Sequence, residues 1–138
     1  MISVLSTTNK YILQPSLLDM HQQSREWLSA TEFWKKEIDF FQKLLTSKSS
    51  FFTSTEDKQK IGHFQSLIMY YNVEVIDKLA RKLRTHENAL ADMLQSLNES
   101  DTQYFHEHKG LMEELSTFAK GFNNLKQELF EFIEKALR

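Results

Sequence analysis

The chain has 138 residues, of which 41% are hydrophobic and 26% are charged, and these proportions are typical of a single soluble domain. Its formal net charge of -2 predicts binding neither to nucleic acid nor to an anionic membrane surface. The absence of cysteine excludes disulfides, thiolate nucleophiles, cysteine-ligated zinc, c-type haem and iron–sulfur clusters.

The N-terminus and the hydropathy pattern give no sign of export or membrane insertion. Residues 1–10 have no basic head followed by an apolar core, so they are not typical of a signal peptide. No apolar run approaches the roughly 18–20 residues that a membrane span needs. We therefore expect a soluble cytoplasmic protein.

The first predicted helix covers about residues 16–46, which leaves residues 1–15 as an N-terminal arm ahead of a helical domain at 16–138. Pro15 followed by Ser16 is typical of a helix start, because Ser16 can cap the helix and Asp19 can complete a capping box. Core-facing positions then recur at alternating steps of three and four, at Leu17, Met20, Ser24, Trp27, Thr31, Trp34, Ile38, Phe41 and Leu45.

The second predicted helix covers about residues 54–97 and follows a polar segment at 47–53. Either Ser54 with Asp57 or Thr53 with Glu56 can cap it. Between Tyr71 and Leu83 the pattern takes three successive steps of four, a stutter that locally unwinds a left-handed supercoil. The core-facing positions are Ile61, Phe64, Ile68, Tyr71, Val75, Leu79, Leu83, His86, Leu90, Met93 and Leu97.

The third predicted helix covers about residues 101–137, with Ser100 and Gln103 as its capping box. Gly110 either splits off a short helix at 101–109 or lies within one long helix. The heptad pattern continues in register across Gly110, which favours one helix. Its core-facing positions are Tyr104, His108, Leu111, Leu115, Phe118, Phe122, Leu125, Leu129, Phe132 and Ala136.

Together these helices predict an all-α fold, an up-down-up antiparallel three-helix bundle of long, coiled-coil-like helices joined by short connections. Phe33, Phe40, Phe130 and Ile133 lie beside the core-facing positions, where they suit either a wide three-helix core or a fourth helix from another chain.

The three predicted helices differ in length, and the second exceeds the first by about 20 Å at 1.5 Å per residue. Ser16 would then lie beside about residue 85, and the far end of the bundle would lack cover from the first helix. We expect an interface there, because exposed apolar patches usually mark contact sites. The N-terminal arm, a second copy of the chain or a different protein could cover it. Its side chains are Leu90, Met93, Leu97, Tyr104, His108 and Leu111.

The histidines are the first candidates for metal ligands. None has a carboxylate three residues before it, so the Glu-x-x-His pattern of di-iron bundles is absent. His86 and His108 both occupy core-facing positions, and antiparallel pairing would bring them within about one helical turn of each other. They are predicted either to bind a metal or cofactor, to form hydrogen bonds within the core, or to act as a pH-sensitive contact.

No other group of residues nominates an enzyme. Lys78, Arg81, Lys82 and Arg84 either contact phosphate or an acidic protein, or form a solvated face among acidic neighbours. There is no glycine-rich phosphate loop and no nucleophile elbow. We therefore predict a non-enzymatic protein without a cofactor.

Several stretches resemble a group of short, uncharacterised bacterial helical proteins, across roughly residues 20–137. The resemblance implies a stand-alone helical protein of bacterial origin and carries no activity. Its stretches are Trp27-Leu28, Phe33-Trp34-Lys35-Lys36-Glu37-Ile38, His63-Phe64-Gln65, His86-Glu87 and Leu125-Lys126-Gln127-Glu128.

Two functional hypotheses follow from the sequence. The first is a helical bundle that acts through protein–protein contacts, either by self-association as a dimer or with another protein. The alternative is a bundle that binds a metal or a small ligand through His86 and His108.

Overall fold

A computed structural model describes the backbone of residues 4–96 and 102–137 and the side chains of residues 17–93 and 103–136. These ranges are helical apart from a short connection at 52–54, and they contain no strand, which confirms the all-α prediction. The elements are α1 (Val4–Lys48), a 3-10 turn (Ser49–Phe51), α2 (Thr55–Tyr70), a π-helical segment (Tyr71–Ile76), α3 (Asp77–Ser96) and α4 (Thr102–Leu137).

The heptad pattern identified the core correctly. None of the predicted core-facing residues with a described side chain is exposed, whereas Leu97 lies outside the described residues. Most of them meet in one continuous cluster to which α1, α2, α3 and α4 all contribute. A smaller cluster of Leu17, Leu90, Met93 and Tyr104 continues the core past the buried polar positions of His86 and His108.

The predicted start of the first helix at Ser16 is wrong, because α1 begins at Val4 and runs through Pro15. The start was placed there because Ser16 can cap a helix and Asp19 can complete a capping box. Within the longer helix Pro15 removes one backbone hydrogen bond. The apolar stripe nevertheless continues upstream in the sequence, with Leu13 four residues before Leu17. Residues 4–15 are thus helical and continuous with the rest of α1.

The first helix covers more of α3 than the sequence predicted. Leu17 packs with Leu90, so α1 reaches farther along α3 than the pairing of Ser16 with residue 85 implied. The residues with described side chains show no exposed apolar patch at that end, and a partner there stays a prediction. The described members of the predicted interface are all buried within one chain: Leu90, Met93, Tyr104, His108 and Leu111.

The predicted stutter coincides with the π-helical segment, Tyr71–Ile76. A π turn accommodates one extra residue, so it changes which side chains face the core after it. Ile76 is fully buried there, while Val75, the predicted core position, is half-buried. The wider turn thus restores the core-facing alignment that a regular α-helix would have lost.

The connection between α1 and α2 closes one end of the core. Ser54 caps α2 by accepting a hydrogen bond from the backbone N–H of Asp57 at 3.1 Å, which selects the first of the two predicted caps. Phe52 is buried, and its ring stacks on that of Phe132 in α4 at 4.3 Å. Of the two alternatives at Gly110, the favoured single helix is confirmed, because α4 is continuous from Thr102 to Leu137.

Replacing Gly121 with alanine is expected to raise the free energy of unfolding by about 0.5–1 kcal/mol, since alanine loses less backbone entropy in a helix. A methyl group at Gly121 would meet no atom within 4 Å, so no clash opposes this gain. Chemical denaturation of the two proteins measures the difference. The reverse change at the exposed helical residue Ala91, to glycine, should cost a similar amount; a loss of stability in Gly121→Ala would contradict the packing described here.

Candidate functional site

A hydrogen-bonded chain with a buried histidine pair, which we call the histidine relay, links α1, α3 and α4. Its members are Gln23, His86 and His108. The nitrogens His86 Nε2 and His108 Nδ1 lie 2.8 Å apart, and His108 Nε2 lies 2.7 Å from Gln23 Oε1. The ring of Tyr104 stacks on His86 at 4.2 Å with an interplanar angle of 3°. The two histidines predicted to approach each other therefore do so, in direct contact.

The hydrogen-bond partners assign the protons of the relay. An amide oxygen only accepts, so with Gln23 Oε1 facing it His108 carries its proton on Nε2 and donates to that oxygen. The Nδ1 atom of neutral His108 is then an acceptor, and His86 Nε2–H donates to it. This leaves His86 Nδ1 as the remaining acceptor of the chain.

Both histidines are held in their neutral form. Burial, together with a smaller effect of the neighbouring His86, lowers the pKa of His108 from 6.5 to about 4. Burial also lowers the pKa of His86, against an opposing attraction from Glu107 and Glu87. Protonation of His108 on Nδ1 would place two N–H groups against each other, because that atom could no longer accept from His86 Nε2–H.

The hydrogen bond between the histidines leaves no room for a shared metal ion. Zinc bound to two imidazole nitrogens at about 2.0–2.1 Å in a tetrahedral arrangement holds them about 3.3 Å apart, whereas His86 Nε2 and His108 Nδ1 are 2.8 Å apart. Among residues with described side chains, no group of three or more histidine, aspartate or glutamate residues is placed to hold a metal. Metal binding at His86 and His108 stays a prediction, and the geometry favours hydrogen-bonded core residues.

Sequence reasoning did not find Gln23, the third member of the relay. Gln23 lies beside the core-facing positions of α1, and only its packing against α4 shows that its amide meets His108. A second polar contact was also missed: His21 Nδ1 lies 2.5 Å from Glu87 Oε2, next to the relay on α1 and α3. Polar contacts between helices, such as the buried bond between His86 and His108, help to fix how the helices align, because misaligned neighbours would leave these groups unpaired.

A second candidate site is an exposed aromatic surface on α1 and α4. We define the aromatic face as Phe33, Phe40 and Phe130, whose side chains are 61%, 56% and 52% exposed. Phe40 contacts Phe41 at 5.7 Å between ring centroids, and Phe41 contacts Phe130 at 5.4 Å. From the sequence, these phenylalanines suited either a wide three-helix core or a fourth helix from another chain.

A half-buried ion pair joins α1 to α4 within the aromatic face. Lys126 Nζ donates to Glu37 Oε2 at 2.9 Å. Phe33 lies four residues before Glu37, and Phe130 lies four residues after Lys126, so both rings neighbour the pair on their helix surfaces. The pair and the three rings therefore form one continuous surface.

A third candidate site is a cleft between α3 and α4 with a volume of about 610 Å³. Its wall is mostly apolar, and its basic end carries Lys78, Arg81 and Lys82. His86 of the relay also lines it, together with Gly110. The basic run identified in the sequence therefore lies at a concave surface, although Lys82 Nζ is paired with both oxygens of Glu114 at 3.0 Å.

Comparison with known proteins gave no assignment: no protein-family model, curated protein or solved structure matches this chain significantly. None of the helices in the described part of the chain combines the length and apolarity needed to cross a membrane. The fold and the three sites described above therefore carry the functional argument.

Proposed function

We propose that this chain is a non-enzymatic helical bundle that acts through protein contacts, and that it pairs with a second copy of itself through the aromatic face. The observation that carries this proposal is the exposure of three phenylalanine rings on one continuous surface of α1 and α4. Large apolar side chains that cluster on a surface usually mark an interaction site, whereas isolated ones need no explanation.

The arrangement proposed for the chain is an up-down-up antiparallel three-helix bundle. Side-chain pairs support it: His21 pairs with Glu87 and Lys35 with Asp77, so residue numbers rise along α1 as they fall along the second helical run. The run from α2 to α3 relates to α4 in the same way, through the contacts Phe64–Phe132 and Lys82–Glu114. In this arrangement α1 and α4 are parallel neighbours that present the aromatic face together.

A second copy of the chain fits this face because α1 is self-complementary there. Phe33 and Phe40 are one heptad apart, so a two-fold axis midway between them places each Phe33 opposite Phe40 of the second copy. Lys36 and Glu37 lie at that midpoint, and the same axis brings Lys36 toward Glu37 of the other copy. The apolar groups therefore match across the axis, and at its centre Lys36 faces Glu37 of the other copy, which is already paired with Lys126 of its own chain.

The size of the face suits a contact core surrounded by a polar rim. Phenylalanine rings bury about 150–250 Å² each, so three rings that are half-exposed offer roughly 300 Å². A stable interface takes about 800 Å² from each partner, with aromatic side chains at its centre and polar groups around them. Neighbouring charged and polar residues of α1 and α4 would supply that rim.

Sedimentation equilibrium over a wide range of protein concentrations tests the proposal. The expected result is a mass that rises from one copy toward two, and a variant with Phe33→Ser and Phe40→Ser that dissociates at least about 100-fold more readily. Loss of these exposed rings leaves the core intact, so the variant should keep its helical circular dichroism.

The matched control changes Met69 and Tyr70 to serine. These side chains are as exposed as the aromatic face but lie on α2, so their replacement should leave the association unchanged. A wild-type mass that stays at one copy throughout, or equal weakening by both double variants, would contradict self-association through the aromatic face.

A further inference from the structure

We propose that the cleft between α3 and α4 binds a small amphipathic carboxylate, with its anionic group at Arg81 and its apolar body against Ala89, Gly110 and Leu111. The site is separate from the aromatic face and does not depend on self-association. Its residues are gathered from two helices, and they offer a charged end, an apolar wall and a polar acceptor.

The volume of the cleft matches small-molecule recognition. About 610 Å³ falls within the range of about 300–1,000 Å³ found for ligand pockets. Such pockets combine a mostly apolar wall with a few polar groups that orient the ligand. Gly110 contributes to this space because it has no side chain, and a methyl group placed there would meet no atom within 4 Å.

The basic residues at one end of the cleft favour a ligand with an anionic group. Lys82 is paired with Glu114 at 3.0 Å, and Lys78 with Glu74 at 3.5 Å, so both lysines are already neutralised in part. Arg81 has no carboxylate partner among the residues whose side chains are described. Its planar guanidinium matches the two oxygens of a carboxylate, which makes this group the natural counter-charge.

The opposite end of the cleft suits an uncharged or hydrogen-donating group. Glu107 lines that end beside His86, so a second anionic group there would be repelled. The hydrogen-bond pattern of the relay leaves His86 Nδ1 as an acceptor, as argued above from Gln23 and His108. A phosphorylated ligand with charges along its length therefore fits less well than a molecule with one anionic end.

The test titrates the full chain with 4-phenylbutanoate and follows backbone amide and histidine ring signals by NMR. We expect saturable binding with a dissociation constant of about 1 mM, as the size of this probe allows, and signal changes centred on Arg81, His86 and Gly110. The isosteric uncharged probe 4-phenylbutanamide and the cationic 4-phenylbutylamine should bind at least about tenfold more weakly, because they lose the charge-assisted contact.

Two variants and a matched control locate the site. Arg81→Gln should weaken 4-phenylbutanoate binding by about tenfold or more, whereas Arg84→Gln, an exposed arginine outside the cleft, should leave it unchanged. Gly110→Leu should abolish binding by filling the cleft while retaining or raising thermal stability, since leucine favours the helix. Absence of saturation with 4-phenylbutanoate, equal binding of the three probes, or full binding by Gly110→Leu would each overturn the proposal.

Discussion

Replacing Phe122 with alanine is expected to lower the free energy of unfolding by about 3–5 kcal/mol, the range found for large aromatic side chains removed from well-packed cores. Phe122 is 1% exposed and lies where three helical runs meet. Its ring packs against three others, with centroid-to-centroid distances of 6.2 Å to Trp34 of α1, 6.3 Å to Tyr71 of the π-helical segment and 5.6 Å to Phe118 of α4. The smaller side chain leaves a cavity and also removes these aromatic contacts.

Urea denaturation of the wild type and the variant measures this loss. Phe130→Ala is the matched control, because it removes the same side chain from the same helix at a position that is half-exposed. Measured at protein concentrations that keep the chain monomeric, the control should cost about 1 kcal/mol or less. Equal losses in the two variants would show that Phe122 does not occupy the centre of the core.

Acidification is expected to destabilise the fold through the histidine relay. The pKa of His108 is lowered by burial from 6.5 to about 4, so the unfolded chain binds a proton that the folded chain excludes between those pH values. The contribution of His108 to the free energy of unfolding is therefore fully present above pH 6.5. It is lost as the pH decreases toward 4, which lowers the free energy of unfolding by about 3 kcal/mol. Burial lowers the pKa of His86 as well, so its contribution has the same sign.

Urea denaturation at a series of pH values tests the relay when it is combined with a double variant, His86→Phe with His108→Leu. Removing both partners of a buried hydrogen bond is close to neutral, so this variant should match the wild type near pH 7 and lose less stability on acidification. His108→Leu alone should cost about 1–3 kcal/mol at neutral pH, because His86 Nε2–H loses its acceptor.

His106→Gln provides the control for acidification. His106 lies on α4 two residues before His108 but is exposed, so its replacement should keep the wild-type decline with pH. If the double variant declined as steeply as the wild type, the acid sensitivity would have to arise from groups outside the relay.

The histidine relay and the cleft differ in how far the sequence could predict them. His86 and His108 were identified as neighbours because both occupy core-facing positions and the helices pair about a short turn. The cleft could be predicted only in part. The basic run was recognised in the sequence, but the concave surface around it depends on Gly110 and Leu111 of α4. Gln23 left no signal, because a glutamine beside an apolar stripe is usually solvated.

The core could be predicted residue by residue because helical burial follows a local rule. Side chains at alternating steps of three and four face one side of a helix whatever it packs against, and burial of such a stripe stabilises any bundle. This is why Ile68, Leu115 and Leu129 were assigned to the interior and are fully buried. The same local reasoning located the stutter. It did not predict that the π turn would bury Ile76 more fully than Val75.

Sequence alone thus determined the helical class of this protein, the inward stripe of each helix and the pairing of its two buried histidines, since each depends on periodic spacing within the chain. Only the structure shows that α1 begins at Val4 and continues through Pro15, because the local start signal at Pro15 and Ser16 predicted a later start. Tertiary structure also decided the hydrogen bond of Gln23 and the shape of the cleft. Those features join residues on different helices, and their geometry follows only from how the helices pack.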